Sequence, residues 1–391
     1  MLSKNIKYII GVDHLRGIAA LLVLLYHSTQ IIGADIAHKS IFISQNDYGY
    51  THWNIFKSLI SEGSFGVALF MTLSGFIFTF GLYKKRLDIK GFFRNRFVRI
   101  YPLYIFLIFL SLYMYANLQP DLLQSVILSI FPFANLNGGV IATGIVASAA
   151  MFWTIAVETQ FYLVFPFLIR FLNEHKFKLL WGIVGLFITV RLVAFLSGDV
   201  NMSLFGYFSI FGRMDQFIIG MMGAYVFLNK KSFLKKRPYA YLAISTFAIL
   251  LLLLIINRLR HHFGFTAFEN FYVILPTIEG LTSAALIVSY VNIFREKTRS
   301  LVSKALAKLG ELSYSIYLTH FMILSLITSR IDLPNILGSW WWSALFYGIF
   351  LVTPLAIGFS LLTYSFIEKP FLQLRKKYVV GKKVETTQQA V

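Results

Sequence analysis

Seven ionisable side chains interrupt the apolar segments of this sequence, where a charge is costly unless it is paired or hydrated. They are His27, Glu158, Arg191, Arg213, Asp215, Glu279 and His320. A histidine titrates near neutral pH, and a nearby carboxylate can orient its ring or raise its basicity. His27 and Glu158 therefore form a candidate pair for removing a proton from a hydroxyl group.

The other five groups have a structural alternative to chemistry. Arg213 with Asp215, or Arg191 with Glu279, would neutralise each other and fix the packing of their helices. His320 would donate one hydrogen bond to a backbone carbonyl and do nothing else. Both interpretations stay open for these residues at the level of sequence.

The elements that carry these side chains are those of an integral membrane protein. Of the 391 residues, 57% are hydrophobic and 14% are charged, whereas about 25% are charged in an average soluble domain. Apolar runs of about 20 residues predict an all-α, polytopic fold with about ten membrane-spanning helices. We place these helices at 16–33, 64–82, 99–116, 151–172, 178–197, 204–228, 239–256, 271–293, 309–329 and 341–366.

The basic residues behind the net charge of +19 are concentrated in the loops on one side of the predicted membrane. With the N-terminus in the cytoplasm, the inside segments carry 29 of the 36 Lys and Arg residues, as the positive-inside rule expects. This bias predicts that both termini are cytoplasmic, and it removes the argument for a nucleic-acid partner. An eleventh crossing at 122–150 would reverse every later loop, so we predict a re-entrant or interfacial outer segment there.

The domain organisation is simple. Residues 1–377 are predicted to form a single transmembrane domain, and 378–391 to form a basic and polar disordered tail. The first apolar run follows a short basic head and lacks an A-x-A site, so it is predicted to be a retained helix. The absence of cysteine excludes disulfides, thiolate metal sites and a cysteine nucleophile, and no metal site is predicted.

Six short motifs occur in a recognisable order. The first is an arginine and a histidine separated by ten residues, Arg16 and His27. The others are Phe70–Ile77, Arg96–Pro102, Phe152–Tyr162, Ser313–His320 and Phe366–Phe371. Over residues 12–372 this series resembles the acyltransferase-3 family of bacterial integral-membrane O-acyltransferases. Thr154 stands where the family motif usually has serine, which keeps the hydroxyl group.

The resemblance implies an enzyme of the bacterial cytoplasmic membrane. It implies transfer of an acetyl or other acyl group from cytoplasmic acyl-CoA to a hydroxyl of an envelope polysaccharide or lipid-linked glycan outside. Acyl-CoA would be a co-substrate, with no tightly bound cofactor. Some relatives carry an additional SGNH hydrolase-like domain, and we expect a form without it because the chain stops shortly after the last span. The oligomeric state stays open.

Arginine side chains suit the phosphates of CoA at a membrane surface. The segment 83–99 carries seven Lys and Arg residues, more than orientation alone requires. We predict that the donor is bound by Arg16, Arg94, Arg96 and Arg99. His27 lies eleven residues beyond Arg16, roughly 16 Å along a helix, which an extended pantetheine arm would span. The alternative is that the arginines of this segment only hold the loop inside.

His27 has two candidate roles. It is either a general base on a sugar hydroxyl or a nucleophile that takes the acyl group and passes it on. We favour the first because it needs no charged acyl-imidazole in the membrane. Glu158 would hold the imidazole tautomer and stabilise its protonated form.

The acceptor is expected to bind near the outer mouth of the protein. Trp153 and Tyr162, together with the segment 122–150, would offer aromatic faces to sugar rings, although an ordinary interfacial belt is the alternative for these aromatics. The remaining candidates for acceptor binding or site support are Arg191, Arg213, Asp215 and His320. Ser74 and Gly75 are predicted to be a close-packing point between helices and not a nucleophile.

Two other classes of protein compete with the enzyme. A proton-coupled transporter also buries His, Glu, Asp and Arg on several helices, although the sequence contains no detectable inverted repeat. A structural subunit of an envelope complex would leave the band of ionisable groups without a purpose.

Overall fold

The computed structural model describes residues 5, 7–38, 54–115, 130, 135, 151–175, 177–296 and 300–380. Nearly all of these residues are helical, as expected where lipid offers no partners to a backbone that is not internally hydrogen-bonded. The outer segment predicted at 122–150 lies, apart from residues 130 and 135, outside the described residues.

The described helices form one bundle. They are α1 (Ile10–His38), α2 (Ile55–Ser61), α3 (Phe65–Leu82), α4 (Ile89–Tyr115), α5 (Trp153–His175), α6 (Phe177–Ser197), α7 (Met202–Phe208), α8 (Ile210–Asn229), α9 (Lys231–Lys236), α10 (Pro238–Phe268), α11 (Leu275–Ile293), α12 (Leu301–Arg330), α13 (Trp340–Tyr347), α14 (Thr353–Thr363) and α15 (Lys369–Gln373). A 3₁₀ turn, Glu269–Val273, precedes α11. Two π-helical turns, Gly348–Val352 and Tyr364–Glu368, join the last three helices end to end.

Eight helical segments of the described chain are long and apolar enough to cross a membrane, which confirms the all-α, multi-pass prediction. They are Ile10–Ala37, Phe65–Leu82, Ile89–Tyr113, Trp153–Glu174, Phe177–Ser197, Pro238–Arg260, Leu301–Arg330 and Trp340–Gln373. The two other predicted spans also contain helices, α8 and α11. They are less apolar because α8 contains Arg213 and Asp215 and α11 contains Glu279. All three side chains are buried inside the bundle.

Close approach of helices fixes the centre of the bundle. The α1 helix packs along α12, and α3 packs along α8. A Cβ atom on Gly310 would collide with the carbonyl of Asp13, and one on Gly75 would collide with the carbonyl of Phe217. Small residues permit such backbone contacts in membrane bundles. The prediction of a close-packing point is therefore confirmed for Gly75.

The chain folds back along one end of the bundle after α15. We call this end, where α1 begins and α3 connects to α4, the basic face, and the opposite end the far face. The strand β2 (Val379–Val380) pairs antiparallel with β1 (Arg86–Leu87), and Tyr378 is buried. Described structure thus continues three residues beyond the predicted domain end at 377, whereas 381–391 lie outside the described residues.

Candidate functional site

A cavity of about 690 Å³ lies at the basic face between α1, α3, α4, α5 and α12. On α12 its lining begins at Lys304 and ends at Tyr317, a helical distance of about 20 Å. Its mouth is rich in cations, whereas apolar and aromatic side chains such as Phe70 and Phe217 line its deeper part. Such a cavity suits a long molecule with an anionic head and an uncharged arm.

Three of the four arginines predicted to bind the donor, Arg16, Arg96 and Arg99, line this cavity. Arg94 is exposed and is not among the lining residues of the cavity. The difference follows from helix geometry, because side chains two positions apart on α4 do not point the same way. A fourth lining arginine, Arg375, comes from the C-terminal segment and was missed by the sequence analysis.

Arg96 lies over aromatic rings. The centre of its guanidinium is 4.7 Å from the ring centroid of Phe78 and 5.7 Å from that of Tyr162, within the range of cation–π attraction. Within the described part of the chain, no ion pair joins this guanidinium to a carboxylate. Aromatic rings therefore hold this charge in place, and the nearby Glu158 of the same cavity is bonded to Tyr162 and Ser74.

Arg99, in contrast, has a carboxylate partner. Its Nη1 donates to Oε2 of Glu368 at 2.8 Å, and the other oxygen of Glu368 accepts a hydrogen bond from Ser315. The guanidinium also lies 5.1 Å from the ring centroid of Tyr314. The closing motif, to which the sequence assigned no role, thus connects the arginine motif of α4 to α12.

Glu158 lines the same cavity. Its Oε1 accepts hydrogen bonds from Ser74 Oγ, at 3.1 Å, and from the hydroxyl of Tyr162. Tyr162 therefore lies inside the cavity, beside Arg96, and not at an outer mouth. This corrects its expected position, since nine residues separate it from Trp153, a descent of about 14 Å along α5.

His27 meets His320. The Nδ1 atom of His27 lies 3.1 Å from Nε2 of His320, and Nδ1 of His320 lies 3.0 Å from the carbonyl oxygen of Ile316. A carbonyl oxygen only accepts, so Nδ1 of neutral His320 carries the proton and its Nε2 is an acceptor. Nδ1 of His27 must then be the donor. The arrangement leaves Nε2 of neutral His27 with a lone pair that can accept a proton.

The histidine pair lies just beyond the deep end of the cavity. Tyr317 lines the cavity, and its ring centroid is 5.9 Å from that of His320, one turn further along α12. Phe321 packs edge-on against His27 at 5.6 Å. The structure therefore brings His27 together with His320, whereas the carboxylate of Glu158 is bonded to Ser74 and Tyr162.

Nearer the far face, the structure contains neither of the two ion pairs suggested by the sequence. The two arginines have exchanged their carboxylate partners. Arg191 Nη2 lies 2.8 Å from Oδ2 of Asp215, and Arg213 Nη1 lies 3.3 Å from Oε2 of Glu279. The predicted pairing of Arg213 with Asp215 is wrong because residues two apart on a helix face different directions. The hydroxyl of Ser209 caps α8 by accepting a hydrogen bond from the amide of Phe211 at 3.1 Å.

Each of these pairs has further partners. Arg191 also donates to Thr277 Oγ1 at 2.9 Å and to the carbonyl oxygen of Val273 at 2.8 Å. The guanidinium of Arg213 lies 4.2 Å from the ring centroid of Tyr207 and 5.7 Å from that of Trp153. Trp153 is buried among these side chains and does not belong to an exposed belt.

A third pair was missed by the sequence analysis. Arg260 Nη1 lies 3.0 Å from Oε2 of Glu62, and both side chains are buried. The predicted span ends at residue 256, whereas α10 continues to Phe268 and keeps Arg260 inside the bundle. Among the described residues, no three His, Cys, Asp or Glu side chains form a group that could hold a metal ion.

Comparison with known proteins agrees with the motif order. The sequence model of an acyltransferase domain matches residues 9–363. The O-acetyltransferase OatA of Staphylococcus aureus is 26% identical over 349 residues, which cover 83% of this chain and 52% of that protein. A putative O-acetyltransferase of the same species is 24% identical over 401 aligned positions, covering 94% and 58%. No solved structure matches.

This chain spans about half the length of the curated relatives that it matches. The match to the family model nevertheless covers most of the chain, from α1 to the end of α14. The protein therefore belongs to the acyltransferase-3 family, and residues 9–363 are its membrane-embedded acyltransferase domain.

Proposed function

We propose that this protein is a membrane O-acyltransferase of the bacterial cytoplasmic membrane. It takes an acetyl or related acyl group from CoA at the basic face and transfers it to a hydroxyl of an envelope polysaccharide or lipid-linked sugar at the far face. One observation carries the proposal: a single cavity has arginines at its mouth and ends one helical turn from the His27–His320 pair.

The donor end of the reaction is supported by the distribution of charge in the cavity. Arg16, Arg96 and Arg99 line the cavity at the basic face, and guanidinium groups bind phosphates through paired hydrogen bonds. The cavity extends about 20 Å along α12, so a pantetheine arm that enters beside the arginines brings its thioester towards Tyr317. Arg94 is exposed and remains a candidate for a contact with the part of the donor that lies outside the cavity.

The transfer step follows from the tautomer of His27. Its free Nε2 removes the proton of the acceptor hydroxyl, whose oxygen attacks the thioester carbonyl carbon. The carbon–sulfur bond then breaks, and the CoA sulfur leaves with the proton returned by His27. His320 keeps Nδ1 of His27 protonated throughout this sequence. A first transfer to Nε2 of His27, followed by attack of the sugar, is the alternative route.

Glu158 supplies the negative charge in this scheme. Its carboxylate is held by Ser74 and Tyr162 inside the cavity, so it can favour a protonated His27 from a distance and balance the arginines while the donor is absent. The predicted direct contact with the imidazole ring is not needed for either role.

We assign binding of the acceptor sugar to the part of the protein nearer the far face. Trp153 packs against Tyr207 and Phe208, with ring centroids 5.2 Å and 5.0 Å away. We assign Arg191, Arg213 and Asp215 to site support, because their charges are already satisfied by neighbouring side chains. The same pairing weakens the transporter alternative, since a proton relay needs groups that can change their charge.

Replacement of His27 by Gln tests this function. Loss of the general base is expected to lower acyl transfer by about 10²- to 10⁴-fold. The measurement is the transfer of labelled acetyl from acetyl-CoA to glycan in membrane vesicles, together with the amount of folded protein. His262→Gln, at an exposed position, is the matched control. Full activity of the His27 variant would overturn the mechanism.

A further inference from the structure

Arg375 reaches the cavity from outside the spanning helices. It lies two residues beyond the end of α15 and yet lines the cavity together with Arg16, Arg96 and Arg99. The described part of the C-terminal segment therefore brings a fourth guanidinium to the mouth. None of the six motifs includes this residue, so the motif pattern gave no signal for it.

The backbone next to Arg375 is firmly held. Nδ2 of Asn95 donates to the carbonyl oxygen of Lys376 at 2.7 Å, and the amide of Lys376 donates back to Oδ1 of Asn95 at 2.9 Å. Asn5 donates to the same carbonyl oxygen at 3.0 Å and accepts from the amide of Tyr378 at 2.7 Å. Asn95 is fully buried and directly precedes Arg96. Two of the cavity arginines are thus positioned through one side chain.

The charge of Arg375 is poorly compensated. Among the described residues, its Nε is buried without a hydrogen-bond partner, and the same holds for Nε of Arg96. Burial, and then the nearby positive charges of Arg99, Arg96 and Arg16, lower the pKa of Arg375 to about 9. Seven Lys and Arg side chains and three Asp and Glu side chains line the cavity, and this positive balance favours an anion of multiple charge.

We propose that Arg375 binds a phosphate group of the CoA donor, so that the C-terminal segment completes the donor site. This inference rests on the proposed function, which supplies the donor. A guanidinium binds phosphate through two parallel hydrogen bonds, and a phosphate would satisfy the buried Nε atoms that the protein leaves without partners. The pantetheine arm, which carries no charge, does not contact Arg375.

The test compares two ligands on purified full-length protein in a maltoside detergent, which contains no phosphate. Binding of CoA and of pantetheine is measured by calorimetry for wild type, Arg375→Met and Lys377→Met. We expect Arg375→Met to weaken CoA binding about tenfold or more and to leave pantetheine binding unchanged. Lys377 is exposed, so its variant loses the same charge without losing a cavity contact and should bind CoA as wild type does.

The outcomes separate this inference from the proposed function. Wild-type protein that binds CoA, with an Arg375 variant of equal affinity, would overturn the role of Arg375 and leave the enzyme proposal intact. An equal loss for CoA and pantetheine would make Arg375 a structural residue, against the inference. Wild-type protein that does not bind CoA would overturn both. Partial recovery in Arg375→Lys would support a charge-dependent contact.

Discussion

Arginines occur in two regions of this protein, and the two regions treat their charge in opposite ways. Nearer the far face, each buried arginine has one carboxylate partner; the pairs are Arg191–Asp215, Arg213–Glu279 and Arg260–Glu62. At the basic face, four arginines share one cavity, and only Arg99 has a carboxylate as close as 2.8 Å among the described residues. Asp13 lies 4.0 Å from Arg16.

Under the proposed function, this difference separates charges that hold the fold together from charges that bind the donor. Arg191 has hydrogen-bond partners for all three of its nitrogen atoms and holds α6, α8 and α11 together. Arg213 is paired with Glu279 but keeps one buried Nη2 atom without a hydrogen-bond partner among the described residues. A cluster of like charges lowers stability unless something compensates it. Arg96 and Arg375 are held in such a cluster, which is physically sensible if a polyanion is the normal occupant of the cavity.

Breaking a far-face pair is expected to have the largest effect on stability. Asp215→Asn leaves Arg191 buried without its counter-charge, which should lower the free energy of unfolding by about 3–5 kcal/mol. Thermal unfolding of the detergent-solubilised protein measures this loss. Glu174→Gln, in the more exposed Arg170–Glu174 pair, is the control and should cost less than about 1 kcal/mol. Equal unfolding midpoints for the two variants would abolish the distinction.

Arg96 should behave in the opposite way. Arg96→Met removes the charge and its cation–π contact with Phe78 but breaks no ion pair, so we expect a smaller fall in the unfolding midpoint than in Asp215→Asn. We expect CoA binding to weaken by about ten- to a hundredfold. Lys90→Met, at an exposed position on the same helix, is the matched control. Unchanged CoA affinity would reduce the arginine motif to an orientation signal.

Ionic strength gives the smallest effect and separates the regions without a mutation. Raising NaCl from about 50 mM to about 500 mM should weaken CoA binding by about three- to tenfold, since the cavity mouth is accessible to ions. Buried pairs are screened much less, so the unfolding midpoint should move little. CoA affinity that is indifferent to salt would argue against phosphate contacts in the cavity.

The membrane fold could be predicted from sequence because it depends on local composition. Apolar runs and the distribution of basic loops determine the helices, and Gly75 could be recognised as a packing point from its small size. Helices α8 and α11 are the instructive exceptions. Their buried charged residues make them less apolar than the eight segments that are long and apolar enough to cross a membrane. Both helices nevertheless lie within spans predicted from the sequence.

Partners across the bundle could not be predicted in the same way. The sequence identifies His27 and His320 as buried histidines, but only the parallel packing of α1 and α12 brings their rings together. Helix periodicity would have excluded the pairing of Arg213 with Asp215, but not that of Arg191 with Glu279. Arg375 could not have been found by motif, because its position depends on a fold-back beyond the last helix and on the amide of Asn95.

The last helical segment, Trp340–Gln373, has a mechanical consequence. Its 34 residues extend roughly 50 Å, whereas the hydrocarbon core of a bilayer is about 30 Å thick. Large side chains such as Phe350 and Phe366 are exposed along it, so lipid is its main neighbour. A helix longer than the bilayer adjusts by tilting. Because Arg375 lies two residues beyond this helix, we expect bilayer thickness to affect the geometry of the cavity mouth.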